Sequence, residues 1–414
     1  MFTIIQVHSL ISPTMPTERT PLSRAALSGL LLVMLGCCLT AQAQDGEQPS
    51  LVLVRGGLTG VVQQAWGQAD PAGTDTTIRG DVDIERSLVS LDADWFTHIR
   101  FGRGASLSNR LPNTFTSDVN SVAFGHHNAP DEFQVLLAQS WLKFDRPLNG
   151  LGSTDNPAMV SLTIGKMDPT VFFDTNFKSD EESEYFLNNV FVHNPLLDSG
   201  GDVGADFYGF SPGLRLAITP NPAGEQRSTW SLGFFGSGNG PTFNGSRRRP
   251  FSIAQWQYEV GDSASPQARF EVYVWQNPSV PNMVTGVLER HQGVGLSFHQ
   301  ALSPNWTLIG RAGQTVKGTV RFDQVLTTGI QSAGAWWGRP KDHAGFSLGG
   351  LRASADYVSQ GLGQGTEVNA ELYYAWHVLD SLQVSPHIQW VHRPAAQAAQ
   401  PDIVVAGLRT KWSF

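Results

Sequence analysis

Aromatic, charged and amide side chains alternate along several short stretches of the chain. The best example is one face carrying Arg269, Glu271, Tyr273 and Trp275. Aromatic rings stack on apolar faces of a ligand, while guanidinium, carboxylate and amide groups exchange hydrogen bonds with hydroxyls. Faces of this kind therefore suit weak, reversible contact with a polar ligand. Similar faces near the C-terminus consist of Glu367, Asn369, Glu371, Tyr373, Gln383, His387 and Gln389.

Catalytic and cofactor-binding patterns are missing from the sequence. The 11 histidines show no metal-ligand spacing. No nucleophile-elbow motif brings Ser, His and Asp together. The glycine-rich run Gly236–Gly240 follows a predicted strand but opens no helix, so it does not predict a phosphate cradle. We therefore expect no enzyme activity, no cofactor and no metal.

The alternation itself requires β-strands, because only strands direct every second side chain to the same face. From residue 51 onward, alternating stretches are broken by Gly, Pro, Asn and Asp. The face opposite the Arg269 set is apolar, with Phe270, Val272 and Val274. A soluble sandwich would expose Lys- and Glu-rich faces, whereas these polar faces suit a confined aqueous lumen. Interfacial aromatics are predicted at Trp66, Trp230, Trp306, Trp376, Trp390 and Trp412.

Composition excludes several classes of protein. Charged residues make up 15% of the 414 residues, against about 25% in ordinary soluble domains. The 23 Phe and 12 Trp argue against disorder. After the N-terminal region no apolar run reaches the roughly 20 residues of a membrane-spanning helix. The formal net charge of −8 argues against a nucleic-acid partner.

The N-terminal 43 residues have the pattern of a secretory signal peptide. Arg19 and Arg24 precede an apolar stretch at 25–39, and a small-residue site predicts cleavage after Ala43. This pattern predicts export, with residues 44–414 forming one domain. A lipoprotein signal ending at Cys37 is the weaker alternative.

Cysteine usage agrees with that division. Cys37 and Cys38 are the two cysteines of the chain, and both lie inside the predicted signal. The exported part therefore has to close its fold without disulfides. Translation could start at Met1 or Met15, and the sequence leaves this open.

The last residues form the clearest predicted strand. From Val404 to Phe414, one face is apolar and ends in an aromatic residue, while the other face carries Arg409 and Lys411. Such a strand resembles the signal by which bacterial outer-membrane barrels engage the barrel-assembly machinery. Allowing ~23 residues per strand with its loop, the exported part fits about 16 strands. The predicted fold is all-β: a transmembrane antiparallel β-barrel with a loop at 168–213 folded inward.

That irregular segment carries a family resemblance. Residues Ile164–Asn176, followed by Phe186–Asn189 and Phe191–Pro195, resemble the carbohydrate-selective porins of the OprB family of Gram-negative outer membranes. The similarity runs from about Asp81 to Phe414 and includes Gly338–Asp342, Glu367–Tyr374, Pro386–Trp390 and Gly407–Arg409. It implies a barrel of about 16 strands that passes sugars without a catalytic step.

The resemblance also suggests constriction residues. These are Lys166, Asp168, Asp174, Asn176, Arg339 and Asp342. They either contact sugar or hold the inward loop through salt bridges. The run Ser179–Glu184 is more acidic than the family pattern. The simplest interpretation of its part Asp180–Glu184 is a solvated loop, with Ca²⁺ binding or cation steering as alternatives.

Passive diffusion of monosaccharides or small oligosaccharides into the periplasm is the predicted function. A general or cation-preferring porin is the main alternative, since Asp plus Glu outnumber Lys plus Arg by 36 to 28. An outer-membrane lipid hydrolase and a soluble exported lectin fit less well. Expected partners are sugars, outer-membrane lipids and the assembly machinery engaged by Phe414, with a homo-oligomer also open.

Overall fold

A computed structural model describes residues 52–67, 73–110, 118–123, 132–153, 155–197, 203, 205–206, 208–237, 249–263 and 265–414. The predicted signal peptide and its cleavage site after Ala43 lie outside these residues, so the signal peptide stays a prediction. Residues 238–240 of the glycine-rich run also lie outside them.

The described residues form 16 β-strands. Their bounds are β1 (Val52–Trp66), β2 (Thr74–Leu88), β3 (Ala93–Arg103), β4 (Gln134–Gly152), β5 (Pro157–Met167), β6 (Ser211–Thr219), β7 (Gln226–Phe235), β8 (Phe251–Gly261), β9 (Pro266–Pro281), β10 (Leu288–Ser303), β11 (Trp306–Lys317), β12 (Phe322–Ala333), β13 (His343–Ala353), β14 (Thr366–Leu379), β15 (Leu382–His392) and β16 (Ile403–Ser413). Three short helices are α1 (Leu107–Arg110), α2 (Asn189–Val192) and α3 (Ala355–Ser359). No helix among the described residues is long and apolar enough to cross a membrane.

Each strand pairs with the next, and β1 pairs antiparallel with β16 to close the barrel. The prediction of an antiparallel barrel of about 16 strands is confirmed. At the seam, the backbone amides of Gly56 and Phe414 each donate to the other's carbonyl oxygen, at 3.2 and 3.0 Å. A Cβ on Gly56 would stand 2.9 Å from the backbone carbonyl oxygen of Asp81, so glycine fits the close approach of β1 and β2 here; the Phe414 ring, 2.5 Å away, is exposed and can turn aside.

The strands separate their two faces as the alternation predicts. Glu271, Tyr273 and Trp275 are buried inside the barrel, whereas Val272 and Val274 on the same strand are exposed outside. All six predicted interfacial tryptophans are exposed. One stretch alternates without being a single strand. From 88 to 96, Val89, Leu91, Ala93 and Trp95 share one face in the sequence, which predicts one strand. In the structure β2 ends at Leu88, and a 3₁₀ turn at Val89–Leu91 precedes β3, so this prediction is wrong.

The segment between β5 and β6 folds into the barrel, as predicted. We use the term inward loop for its residues 168–197. It contains a 3₁₀ turn at Pro169–Val171 and the one-turn helix α2. Phe173, Phe186 and Phe191 of this loop are buried in the largest apolar cluster, together with Tyr273 and Tyr373 of the wall. The inward loop is therefore packed against the inner faces of the strands through its own apolar side chains.

Candidate functional site

Two buried carboxylates of the wall hold the backbone of the inward loop. The Thr175 amide donates to Glu271 on β9 at 2.7 Å, and the Thr175 hydroxyl donates to the same carboxylate. On β14, Glu371 accepts the amides of Leu187 and Asn188 at 2.9 and 2.8 Å. Buried amides need acceptors, and charged acceptors bind them most strongly. The two anchors therefore fix the loop to two separate parts of the wall.

A buried arginine on β11 organises the first half of the loop. Arg311 Nε donates to Asp174 at 3.1 Å and a terminal nitrogen donates to Asp180 at 2.6 Å. The Tyr273 hydroxyl donates to Asp174 at 2.7 Å. Two carboxylates, the buried one of Asp174 and the partly exposed one of Asp180, thus share one buried guanidinium. Burial raises the pKa of Asp180 to about 6, with Arg311 acting in the opposite direction.

Residues 180–184, which we call the acidic tip, lie inside the barrel. Glu182 accepts Arg79 of β2 at 2.6 Å, and Glu184 pairs with Lys411 of β16 at 3.2 Å. Cations of the wall therefore compensate the charge of this run within the lumen, and Glu181 is exposed there, so the run is solvated inside the barrel and not on its outer surface. Ca²⁺ binding gains no support, since the described part of the chain has no His, Cys, Asp and Glu group arranged to hold a metal ion.

A cavity of about 1370 Å³ lies between the inward loop and the wall formed by β2, β3 and β4. An aromatic pair lines it, with Phe96 and Trp141 stacked at a ring-centroid distance of 4.8 Å. Gln139, Arg100 and Asp168 line the same cavity. Apolar ring faces and hydrogen-bonding groups thus occur side by side on one open surface.

Most of the predicted pore-lining residues point inward but lie beneath loops. Glu271 and Glu371 hold the inward loop, as described. Elsewhere, Glu367 accepts the Ala395 amide at 2.7 Å, and Gln389 donates to the Val119 carbonyl at 2.8 Å. Tyr273, Trp275 and Tyr373 are buried in the apolar cluster. Of this predicted set, Arg269 lines the cavity, where it pairs with Glu259 at 2.7 Å. Sugar contact by the set stays a prediction.

The predicted constriction residues divide between the two ends of the barrel. At the base of the inward loop, Lys166 pairs with Asp206 at 3.0 Å and Asp168 accepts the Thr170 amide at 2.8 Å. Farther along, the Asn176 side chain donates to the Phe298 carbonyl at 2.8 Å. Together with Asp174, these residues hold the loop.

Arg339 and Asp342 lie elsewhere, in the turn between β12 and β13 at the opposite end. They pair with each other, and Asp342 accepts the Tyr374 hydroxyl at 2.6 Å and the His377 amide at 2.9 Å. The structure does not bring them to the inward loop. The prediction that Arg339 and Asp342 hold the inward loop is therefore wrong, because both belong to a turn that forms its own ion pair.

Several residues of the site were missed by sequence analysis. On β3, Phe96, His98 and Arg100 all line the cavity, and on β4 Gln139, Trp141 and Lys143 do so too. Both sets alternate and could have been recognised from that signal. Arg311 and Arg409 could not, because their roles depend on the path of the loop.

Comparison with known proteins supports the family resemblance. The family model described as "Carbohydrate-selective porin, OprB family" matches residues 257–414. A curated relative, Porin B of Pseudomonas aeruginosa, is 30% identical over 116 residues, which cover 24% of this chain and 26% of the relative. The aligned part therefore spans about a quarter of that relative's length.

Solved structures agree with the fold. The high-pH structure of Pseudomonas putida OprB matches with a TM-score of 0.69 at 18% identity, covering 88% of this chain and 94% of that chain. An anion-selective porin from Comamonas acidovorans matches with a TM-score of 0.54 at 8% identity, covering 88% and 100%. The family model confirms the predicted resemblance over residues 257–414, whereas the blocks at Ile164–Asn176 and Phe186–Pro195 lie outside the residues that it matches. The fold is that of porins.

Proposed function

We propose that this protein, whose residues 257–414 match the OprB family, is an outer-membrane channel through which sugars diffuse passively into the periplasm. The apolar outer wall suits lipid, where Arg or Lys at mid-depth costs about 2–4 kcal/mol. The predicted signal peptide is consistent with export across the inner membrane. Porins are channels rather than enzymes, and no catalytic step enters the proposal.

The observation that carries the sugar assignment is the stacked pair Phe96 and Trp141 within the cavity. A pyranose ring has apolar C–H faces and a rim of hydroxyls. The aromatic pair offers a surface for the apolar C–H faces, while Gln139, Arg100 and Asp168 offer hydrogen bonds to the hydroxyls. The cavity is wide and open, so such contacts favour binding weak enough for release, as conduction requires.

Planar-bilayer recording of the purified protein tests this function. We expect ionic conductance in the absence of sugar and a concentration-dependent reduction of the current when a monosaccharide is added. A panel of neutral mono- and disaccharides would identify the preferred size. Failure to conduct would reject the channel itself. Conductance that no sugar reduces would reject the sugar assignment and leave a general porin.

The acidic tip favours a second candidate, a cation-preferring diffusion porin. Glu181, Glu182 and Glu184 all line the cavity. Negative side chains around a pore concentrate cations and exclude anions. Reversal potentials in a salt gradient separate the candidates. Strong cation preference with no effect of sugar supports the second.

Assembly through the last strand is part of the proposal. β16 closes the barrel against β1, and the Phe414 ring is exposed at its end. A terminal aromatic on an outward face is available to the assembly machinery before the seam forms. Association of finished barrels stays open, and cross-linking in native membranes tests it.

A further inference from the structure

Arg409 on β16 makes an unusual set of contacts with the inward loop. Its side chain is buried, and its terminal nitrogens donate to three backbone carbonyls of the loop, those of Glu182 at 2.8 Å, Glu184 at 2.6 Å and Tyr185 at 2.7 Å. A fourth bond reaches the Ser385 hydroxyl at 3.1 Å. These hydrogen bonds therefore fix the backbone of the acidic tip, whereas the other cations at the tip bond its carboxylates.

This geometry determines where the acidic side chains lie. With the carbonyls of Glu182 and Glu184 directed to the β16 wall, both side chains remain at the cavity surface. The Glu182 carboxylate reaches Arg79, on β2. The planar guanidinium makes these bonds from two terminal nitrogens held in a fixed geometry. A lysine ammonium has three donors, but all of them are on one nitrogen, so it would not reproduce contacts spread over two nitrogens.

A neighbouring cation allows the effect of positive charge to be distinguished from the effect of the backbone hydrogen bonds. Lys411 lies two residues farther along the same inward face and also carries one positive charge. It bonds the Glu184 carboxylate at 3.2 Å. The structure gives it no bond to the loop backbone among the described contacts. Substitution of Lys411 thus removes a similar charge from the same region without releasing the backbone.

We propose that Arg409 is the positioning residue of the acidic tip, and that by holding the tip across the lumen it sets both the width and the cation preference of the channel. This inference rests on the proposed channel function. It assigns a role to the Gly407–Arg409 motif, which the sugar contacts do not use.

The two possible roles of Arg409 predict opposite signs. If the residue contributed charge alone, Arg409→Gln would leave a more negative lumen, and cation preference would rise at unchanged conductance. If it positions the tip, the same substitution releases the carboxylates from their fixed positions at the cavity surface. Conductance then rises and cation preference falls, since charges across a wider aqueous gap are better screened.

Single-channel conductance and reversal potentials of wild type, R409Q, R409K and K411Q test the proposal. We expect conductance to rise on the order of twofold in R409Q and less in R409K, with lower cation preference in both. In K411Q we expect nearly unchanged conductance and slightly higher cation preference. Wild-type conductance in R409K, or higher cation preference in R409Q, overturns the positioning role.

Two further readouts keep the outcomes distinct. Barrel formation is checked by heat-modifiable gel migration, and if R409Q gives no folded barrel, the charge-retaining R409K decides. Amide hydrogen exchange of residues 180–185 should be faster in both Arg409 variants and not in K411Q. A wild-type protein without conductance rejects the proposed function instead, while unchanged exchange in R409K rejects only the role of Arg409.

Discussion

Replacing Glu371 should release the middle of the inward loop from the β14 wall. Its buried carboxylate accepts two loop amides, from Leu187 and Asn188, at 2.9 and 2.8 Å. In Glu371→Gln the amide oxygen can accept one of them, but the amide NH₂ faces the other donor. One hydrogen bond to a charged group is lost and one buried N–H is left without an acceptor. We expect Glu371→Gln to weaken local anchoring by about 1.5–3 kcal/mol.

That free energy corresponds to a measurable population. At about 1.4 kcal/mol per tenfold change in equilibrium constant, local opening should become roughly ten- to a hundredfold more frequent. The barrel itself should persist, because its strand ladder does not use this carboxylate. Amide hydrogen exchange of the segment 186–191 in detergent micelles measures the opening directly.

Glu367→Gln is the matched control. Glu367 lies on the same strand and the same inward face and is equally buried, but it accepts the Ala395 amide of the segment between β15 and β16. We expect faster exchange near residue 395 and a much smaller change at 186–191, because Glu367 reaches that segment only indirectly, through Asn369 and the Asn188 side chain. Exchange at 186–191 that stays at the wild-type rate in Glu371→Gln would refute the anchoring argument. Equal acceleration in both variants would show a general loss of barrel stability instead.

Three further predictions concern sugar contact, charge and closure. Trp141→Ala should weaken the block of current by sugar roughly twofold to tenfold, because an aromatic contact is worth about 0.5–1.5 kcal/mol. Titration of the current block with sugar measures this loss of affinity. An unchanged block would contradict the role of the aromatic surface. Burial raises the pKa of Asp180 to about 6, so this carboxylate gains a proton as the pH falls from 7 to 5. The cation preference of the channel should therefore decline over that interval. Asp180→Asn should flatten the pH dependence of the reversal potential. Gly56→Val should lower the folded fraction in refolding assays, since its Cβ meets the backbone carbonyl of Asp81 and overpacking costs about 1–3 kcal/mol. A wild-type folded fraction would contradict the need for glycine at this position.

The wall of the barrel was predictable because its signal is local. Alternation along Arg269–Trp275 and Glu367–Tyr373 assigns each side chain to a face without knowledge of the rest of the chain. The burial pattern follows that assignment. A 3₁₀ turn such as Val89–Leu91 interrupts the strands without interrupting the alternation, and at that place the prediction was wrong.

Which inward residues meet the aqueous cavity was not predictable in the same way. The inward loop covers Glu271, Tyr273 and Glu371, although they belong to polar faces that the alternation recognises correctly. The loop lies close to some strands and leaves β3 and β4 uncovered, so the aromatic surface is at Phe96 and Trp141. Strand periodicity contains no information about that long-range path.

The acidic run shows the same limit for charge. In sequence, residues 180–184 resemble a solvated surface segment, and their partners Arg79, Arg311 and Lys411 are far away along the chain. Pairing three distant cations with one short segment requires the closed barrel. The ion pairs are therefore a consequence of the fold and not a motif that sequence spacing displays.

The attachment of one loop to β2, β9, β11, β14 and β16 has a mechanical consequence. A hollow cylinder of single-layer sheet deforms readily in cross-section, whereas a strut joined to several points of its circumference resists flattening. The inward loop forms such a strut, with buried hydrogen bonds as its joints. Lateral pressure from the bilayer should then change the aperture less than it would in an unbraced barrel.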